Sequence, residues 1–91
     1  MRFVLDSGSV GNRETLHRVL AAGLQFPDWY GGNLDALHDC LTEINQPTEL
    51  VIRGSDTLET ALGSYAAAFR RVLADSAAQN DALTVTWETD I

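Results

Sequence analysis

Hydrophobic residues occur along the chain in two patterns: short segments in which they are continuous or alternate with polar residues, and longer stripes with helical spacing. The short segments lie at 2–5, 49–53 and 83–87 and are rich in β-branched or aromatic residues. Runs of this length and composition predict strands. The central run is apolar at three successive positions, 50–52, which predicts burial on both faces, as in a parallel sheet.

Between the first two strands, apolar residues recur at spacings of three and four, which predicts two amphipathic helices. Asn12 and Asn33 precede these stretches, and asparagine is a favoured N-cap because its side chain accepts a bond from a free amide. Phe26-Pro27 ends the first helix, since the residue before a proline avoids helical geometry. The stripes expected to face the core are Leu16, Val19, Leu20 and Leu24 in the first helix and Leu34, Leu37, Leu41 and Ile44 in the second.

Two further helices are predicted between the second and third strands. Ser55 or Asp56 is expected to cap a short third helix, and Asp56 with Glu59 resembles a capping box. Gly63-Ser64 interrupts the pattern, and a fourth helix is expected at about 65–78. Its predicted inward residues are Tyr65, Phe69, Val72 and Leu73.

Strands that alternate with helices predict an α/β fold in which right-handed crossovers join parallel strands. We therefore expect a small three-stranded parallel sheet with about four helices packed on it. With 91 residues, the chain is expected to form a single domain over 1–91 with a modest core.

The second predicted helix has an apolar side and an acidic side. The residues at i, i+3, i+4 and i+7 opposite its apolar stripe are Asp35, His38, Asp39 and Thr42. No Lys or Arg occurs between Arg18 and Arg53, so no base neutralises these acids at short range in the sequence. An acidic face beside an aromatic loop favours a surface that binds a basic partner, although a merely solvated helix face has the same pattern.

The loop at 26–32 carries the aromatic pair Trp29-Tyr30, followed by two glycines. We expect Tyr30 to point inward and Trp29 outward. Cys40 falls on the apolar side of the second helix, which predicts a buried packing residue. His17 lies in a polar register of the first helix and is expected to be exposed.

The formal net charge of -7 at pH 7 disfavours nucleic acid and anionic membranes as partners, because both would repel the protein. A single cysteine excludes an intramolecular disulfide. The N-terminal residues lack the pattern of a signal peptide, and no apolar run is long enough to span a bilayer. These features predict a cytoplasmic location.

Two chemical alternatives exist for the polar side chains of the second helix. His38 with Asp35 and Asp39 could bind a metal, but no second histidine or cysteine stands at ligand spacing. Cys40 with a histidine could act as a nucleophile, but Cys40 leans toward the core and no orienting group is evident. We expect no enzymatic activity, no cofactor and no metal.

The segment 27–42 resembles the signature of the barstar family, intracellular inhibitors of secreted barnase-type ribonucleases. It reads Pro27-Asp28-Trp29-Tyr30-Gly31-Gly32-Asn33-Leu34-Asp35-Ala36-Leu37-His38-Asp39-Cys40-Leu41-Thr42. The family pattern is a proline, two aromatics, a glycine, then Asn-Leu-Asp-Ala-Leu, an aromatic and Asp-Cys-Leu-Thr. Chain length and the order of the predicted elements agree with the family throughout.

The resemblance implies an inhibitor, monomeric when free, that blocks the active site of a guanyl-preferring microbial ribonuclease one to one with an acidic helix and loop. It implies that Asp39 occupies the place of a substrate phosphate and that Asp35 binds a second basic residue at the rim. Trp29 would pack on the catalytic histidine. The remaining contact residues that it implies are Gly31, Asn33, Leu34, His38, Thr42, Glu43 and Ile44.

Four positions depart from the family pattern: His38, Ile44, Ser76 and Asn80. The first two replace large aromatics, and the last two replace acids of barstar. Asp75 and Asp81 are sequence neighbours of the missing acids, but one residue turns a helix by about 100°. A second interpretation therefore stays open, a barstar-like interaction module whose partner is a different basic protein.

Overall fold

The structure, a computed structural model, describes residues 1–89. It confirms the predicted α/β class, with three strands and four α-helices in the described part of the chain. A short 3-10 turn, Ser7–Ser9, follows the first strand. The elements are β1 (Arg2–Asp6), α1 (Arg13–Gly23), α2 (Leu34–Thr42), β2 (Thr48–Arg53), α3 (Ser55–Leu62), α4 (Ser64–Gln79) and β3 (Leu83–Glu88).

The three strands form one parallel sheet with β2 at its centre. Leu50, Val51 and Ile52 have no exposed surface, which confirms that the central strand is buried on both faces. Leu50 and Ile52 belong to the hydrophobic core, and Val51 lies on the opposite face because successive side chains of a strand alternate. On that face Val51 pairs in register with Val4 and Thr86. Two ion pairs of 3.1 Å, Arg2–Glu49 and Arg53–Glu88, lie two residues before and two residues after it along β2.

The hydrophobic core lies between the sheet and the apolar stripes of the helices. Most residues of the predicted stripes are buried in it: Leu16, Leu20, Leu24, Leu37, Leu41, Phe69 and Leu73. The other members are partly buried and pack against its edge: Val19, Leu34, Ile44, Tyr65 and Val72. None of the helices within residues 1–89 is both long and apolar enough to span a membrane.

The predicted caps of α1 and α2 are confirmed. Asn12 Oδ1 accepts a hydrogen bond from the Thr15 amide, and Asn33 Oδ1 accepts one from the Ala36 amide, both at 2.8 Å. These bonds satisfy amides that have no partner inside the helix. The direction in which each helix leaves its loop is thereby defined by a residue adjacent to it.

The predicted cap of α3 is wrong. The N-cap is Gly54, with φ 78°, which has no side chain that could bond to the first amides of this helix. The chain leaves β2 through a left-handed turn that glycine adopts at low cost, so the helix begins at once with the buried Ser55. Gly63, with φ 59°, separates α3 from α4, as predicted.

Candidate functional site: an acidic protein-binding surface

The aromatic loop at 26–32 presents one aromatic side chain to solvent and buries part of another. Trp29 is 66% exposed, whereas Tyr30 packs against the core, as predicted. A turn in which the Tyr30 amide donates to the Pro27 carbonyl at 3.0 Å shapes the loop. The rings of Phe26 and Tyr30 also contact each other, with centroids 4.9 Å apart. Trp29 is therefore the exposed tip of an otherwise anchored loop.

The prediction that His17 is exposed is wrong, because His17 is 4% exposed. Its Nδ1 atom hydrogen-bonds to the Tyr30 hydroxyl, and its Nε2 atom lies 2.7 Å from the Tyr65 hydroxyl. Both ring nitrogens are thus satisfied, which makes burial of this polar ring tolerable. Burial lowers the pKa of His17 and raises the pKa values of both tyrosines. A signal was present, since position 17 is three residues before Leu20, a member of the apolar stripe.

The acids of α2 lie in the open. Asp35, Asp39 and Glu43 are exposed, and Asp28 is exposed in the loop before them. The ion pairs found within residues 1–89 involve none of these four carboxylates: Arg2–Glu49, Arg53–Glu88 and Arg70–Glu59. The acidic face therefore keeps its charge available for a partner.

An open groove of about 380 Å³ runs between α2 and α4, and we call it the acidic groove. Three carboxylates from the two helices border it, those of Asp35, Asp39 and Asp75. Asp81, by contrast, lies in the turn after α4. The full lining is Leu34, Asp35, His38, Asp39, Val72, Asp75 and Gln79. Tertiary packing therefore places Asp75 beside the acids of α2. The sequence alone did not decide whether Asp75 or Asp81 adds to that charge.

Ser76 and Asn80 have a different task, because both tie α4 to α2. Ser76 has no exposed surface, and its Oγ atom lies 2.9 Å from His38 Nδ1. The side-chain Nδ2 atom of Asn80 donates to the backbone carbonyl oxygens of Leu41 and Ile44, each at 2.9 Å. Ser76 and Asn80 are thus neutral side chains that fix the relative position of the two helices.

The predicted contact residues on α2 are not equally available. Leu34 and His38 are partly buried and line the acidic groove. Thr42 is also partly buried, and its hydroxyl donates within its own helix to the carbonyl oxygens of His38 and Asp39. Ile44 lies beyond the end of the helix and packs against the core. Of this group, Leu34 and His38 are therefore the two that line the acidic groove.

The N-terminal end of α2 adds backbone and polar groups to the surface. Gly31 and Asn33 are exposed, although the side-chain Oδ1 atom of Asn33 is used to cap the helix. Gly32 between them has φ 69°, a conformation that favours glycine. The loop that carries Trp29 thus leads directly into the first turn of α2, which carries Asp35.

One cation approaches the acidic face from another part of the chain. Arg13 at the start of α1 lies over the Tyr65 ring, 5.0 Å from its centroid. It borders a second groove, of about 650 Å³, together with Asn33 and Asp35. The gap in basic residues around α2 did not predict this neighbour, because α1 is brought there by the fold. No ion pair joins Arg13 to Asp35 within the described residues.

The structure places Cys40 on the core side of α2. It is buried, as predicted, and its pKa is raised by burial and then by the Glu43 and Asp39 carboxylates. A thiol with a raised pKa is a weak nucleophile near neutral pH. Within residues 1–89, no three side chains of His, Cys, Asp or Glu are grouped as metal ligands would be.

Fold and surface together define a small α/β protein with a preformed acidic surface of the kind that binds other proteins. The family model described as "Barstar (barnase inhibitor)" matches residues 1–88, and the chain belongs to the barstar family. It is also similar to a protein of Bacillus subtilis (strain 168) named "Putative ribonuclease inhibitor YrdF". The two are 46% identical over 66 residues, which cover 71% of this chain and 72% of that protein.

Proposed function

We propose that this protein is a cytoplasmic inhibitor of a secreted, barnase-type ribonuclease and that it blocks the active site one to one. Membership of the barstar family and the name of the Bacillus subtilis relative support inhibition of a ribonuclease. The observation that carries the proposal is the convergence of Asp35, Asp39 and Asp75 on one groove, without ion pairs among the described residues. The exposed Trp29 lies in the loop that leads into α2.

The chemistry of RNA cleavage explains why such a surface inhibits. A ribonuclease gathers positive charge around its pocket in order to bind a phosphodiester and stabilise the developing negative charge. Carboxylates that enter this pocket supply the negative charge that the phosphate would bring. Because α2 is capped and packed before binding, little conformational entropy is lost on association.

Asp39 takes the central role in this proposal, opposite the catalytic cations, and Asp35 binds a second base at the rim. Asp75 adds a third carboxylate from α4. Trp29 packs on an aromatic or imidazole ring of the partner. The surrounding contacts come from Gly31, Asn33, Leu34, His38, Thr42, Glu43 and Ile44.

The test is a titration of the protein into secreted guanyl-preferring ribonucleases with RNA cleavage as the readout. We expect inhibition that is complete at one equivalent. Asp39→Ala should weaken it by at least about 30-fold, because truncating one partner of a buried charge pair costs roughly 2–5 kcal/mol, a range that rests partly on barnase–barstar. Asp81→Ala, which removes an exposed acid outside the acidic groove, is the matched control. Failure to inhibit any such nuclease would contradict the proposal.

Salt provides a second test of the same surface. Association of an acidic inhibitor with a basic pocket is steered by long-range attraction, which mobile ions screen. We expect the association rate constant to fall steeply between about 0.05 M and 0.5 M salt, while the dissociation rate constant changes less. A rate constant that is independent of salt would contradict steering by the acidic face.

A second candidate partner is a basic protein that is not a ribonuclease. It is favoured by Ser76 and Asn80, which join helices here instead of adding charge. In that case the protein would inhibit no ribonuclease, yet a partner isolated with it would be released by Asp39→Ala and retained by Asp81→Ala.

A further inference from the structure

We propose that His38 determines partner specificity by acting as a fixed hydrogen-bond donor inside the acidic groove. In this role it selects a basic surface that also presents an acceptor oxygen, a backbone carbonyl or a carboxylate, at the middle of its cations. That the acidic groove is the surface that binds the partner rests on the proposed function. The position of the proton on the His38 ring rests only on contacts within the chain.

The hydroxyl group of Ser76 is buried beside the imidazole ring of His38. Ser76 is 0% exposed, so water cannot accept its hydrogen. Its Oγ atom lies 2.9 Å from His38 Nδ1, and no other hydrogen bond of this atom occurs within residues 1–89. A buried hydroxyl without an acceptor for its hydrogen is costly. The Ser76 hydroxyl therefore donates to His38 Nδ1.

This bond decides where the imidazole carries its own proton. A neutral imidazole has one N–H group and one nitrogen that accepts. Since Nδ1 accepts from Ser76, the proton of neutral His38 is on Nε2. In the opposite tautomer, Nδ1–H would donate to Ser76 Oγ, and the buried hydroxyl hydrogen would have no acceptor.

The Nε2–H group is available to a partner. It makes no hydrogen bond to any residue of the described part of the chain, 1–89. The Nε2 atom is not buried either, in contrast to Ser7 Oγ, which is buried and has no partner among the described residues. His38 is only partly buried and lines the acidic groove. Its donor is therefore open to solvent while the other side of the ring is held by α4.

The surroundings make this donor selective. Asp35 and Asp39 on α2 and Asp75 on α4 line the same groove, and each accepts hydrogen bonds from cations. A surface made only of cations satisfies the three carboxylates but leaves His38 Nε2–H opposite another donor. A surface with an acceptor oxygen among its cations satisfies all four groups. Discrimination of this kind, by an unpaired group in the wrong complex, is a general source of specificity.

The first experiment tests the tautomer in the free protein. In protein labelled with ¹⁵N-histidine at about pH 8, His38 should show a protonated Nε2 and an unprotonated Nδ1. The chain has two histidines, and the resonances that disappear in His38→Gln identify His38. Ser76→Ala should shift the ring toward a mixture of tautomers, and Ser64→Ala, an exposed serine of the same helix, should not. A wild-type ring protonated on Nδ1, or one unaffected by Ser76→Ala, would overturn the proposal.

The second experiment uses side-chain amides as substitutes in the complex with an inhibited ribonuclease. Glutamine can place its NH₂ group near the position of Nε2, whereas asparagine reaches only as far as Nδ1. We expect His38→Gln to keep the affinity within about threefold and His38→Asn and His38→Leu to lose about tenfold, as for one hydrogen bond. Equal losses for the Gln and Asn variants would overturn the role of His38. Absence of inhibition by the wild-type protein would instead contradict the proposed function, and the NMR experiment would still decide the tautomer.

Discussion

The Nδ1 atom of His17 is hydrogen-bonded to the hydroxyl group of Tyr30, so a buried residue of α1 holds the aromatic loop. The other ring nitrogen bonds to Tyr65 on α4. A neutral imidazole can serve both hydroxyl groups, donating to one and accepting from the other. Three separate parts of the chain therefore meet at one ring, and the loop that carries Trp29 is anchored from below.

This arrangement predicts a loss of stability on mild acidification. Burial lowers the pKa of His17, so the unfolded chain binds a proton at a higher pH than the folded protein. The contribution of His17 to the free energy of unfolding is therefore fully present above about pH 6.5 and is lost as the pH drops from there toward the lower folded pKa. Urea unfolding at about pH 7.5 and pH 5.5 measures the change. The decrease in the free energy of unfolding between these pH values should be smaller in His17→Gln than in the wild-type protein. Both proteins contain His38, so the comparison isolates His17. An equal loss in the two would show that His17 is not responsible.

The carboxylate that the proposal makes central should also reduce the stability of its own helix. Asp39 stands four residues from Asp35 and four from Glu43, and like charges at this spacing cost about 0.2–0.5 kcal/mol per pair. We expect Asp39→Asn to raise the free energy of unfolding by about 0.5 kcal/mol at low salt and to weaken inhibition. Asp56→Asn is the contrasting control, because Asp56 lies in the first turn of α3, where the helix dipole favours a negative charge. If Asp39→Asn left both stability and binding unchanged, this opposition between function and stability would not exist.

Gly23 at the end of α1 is predicted to tolerate no side chain. A Cβ atom there would overlap the ring of Phe3. We expect Gly23→Ala to lower the free energy of unfolding by about 1–3 kcal/mol, the usual cost of overpacking. Gly11→Ala, where a Cβ atom meets nothing within 4 Å, should change it by less than about 0.5 kcal/mol. Adding Phe3→Leu to Gly23→Ala should recover part of the loss, and no recovery would refute the clash as its cause.

Asn80 is predicted to be a structural residue of the binding surface. Its side-chain nitrogen donates to the carbonyl oxygen of Leu41 in the last turn of α2 and to that of Ile44 just beyond the helix. Its Oδ1 atom accepts from the Ala82 backbone amide at 3.0 Å. We expect Asn80→Ala to lower the free energy of unfolding by about 2 kcal/mol, because it leaves three backbone groups without this partner. The exposed Asn45 supplies the control variant, Asn45→Ala. Comparable small effects of the two substitutions in urea unfolding would argue against a role for Asn80 in joining the helices.

Features that depend on residues close together in the chain were predictable. The strand at 49–53, the caps Asn12 and Asn33 and the two sides of α2 all follow from spacings of a few residues, and the structure confirms each of them. The error at α3 has the same origin. Ser55 and Asp56 are good capping residues, but the left-handed turn at Gly54 starts the helix before either can cap it.

The features that could not be predicted depend on contacts between residues far apart in the chain. The His17 ring is buried because the hydroxyls of Tyr30 and Tyr65 reach it, and neither pairing has a trace in the local pattern. Ser76 meets His38 across 38 positions of the chain. The order of residues was enough to put negative charge on one side of α2. The packing of α4 against it added Asp75 to that charge and turned Ser76 and Asn80 inward, because side-chain direction across two helices depends on how their surfaces interlock and not on either sequence alone.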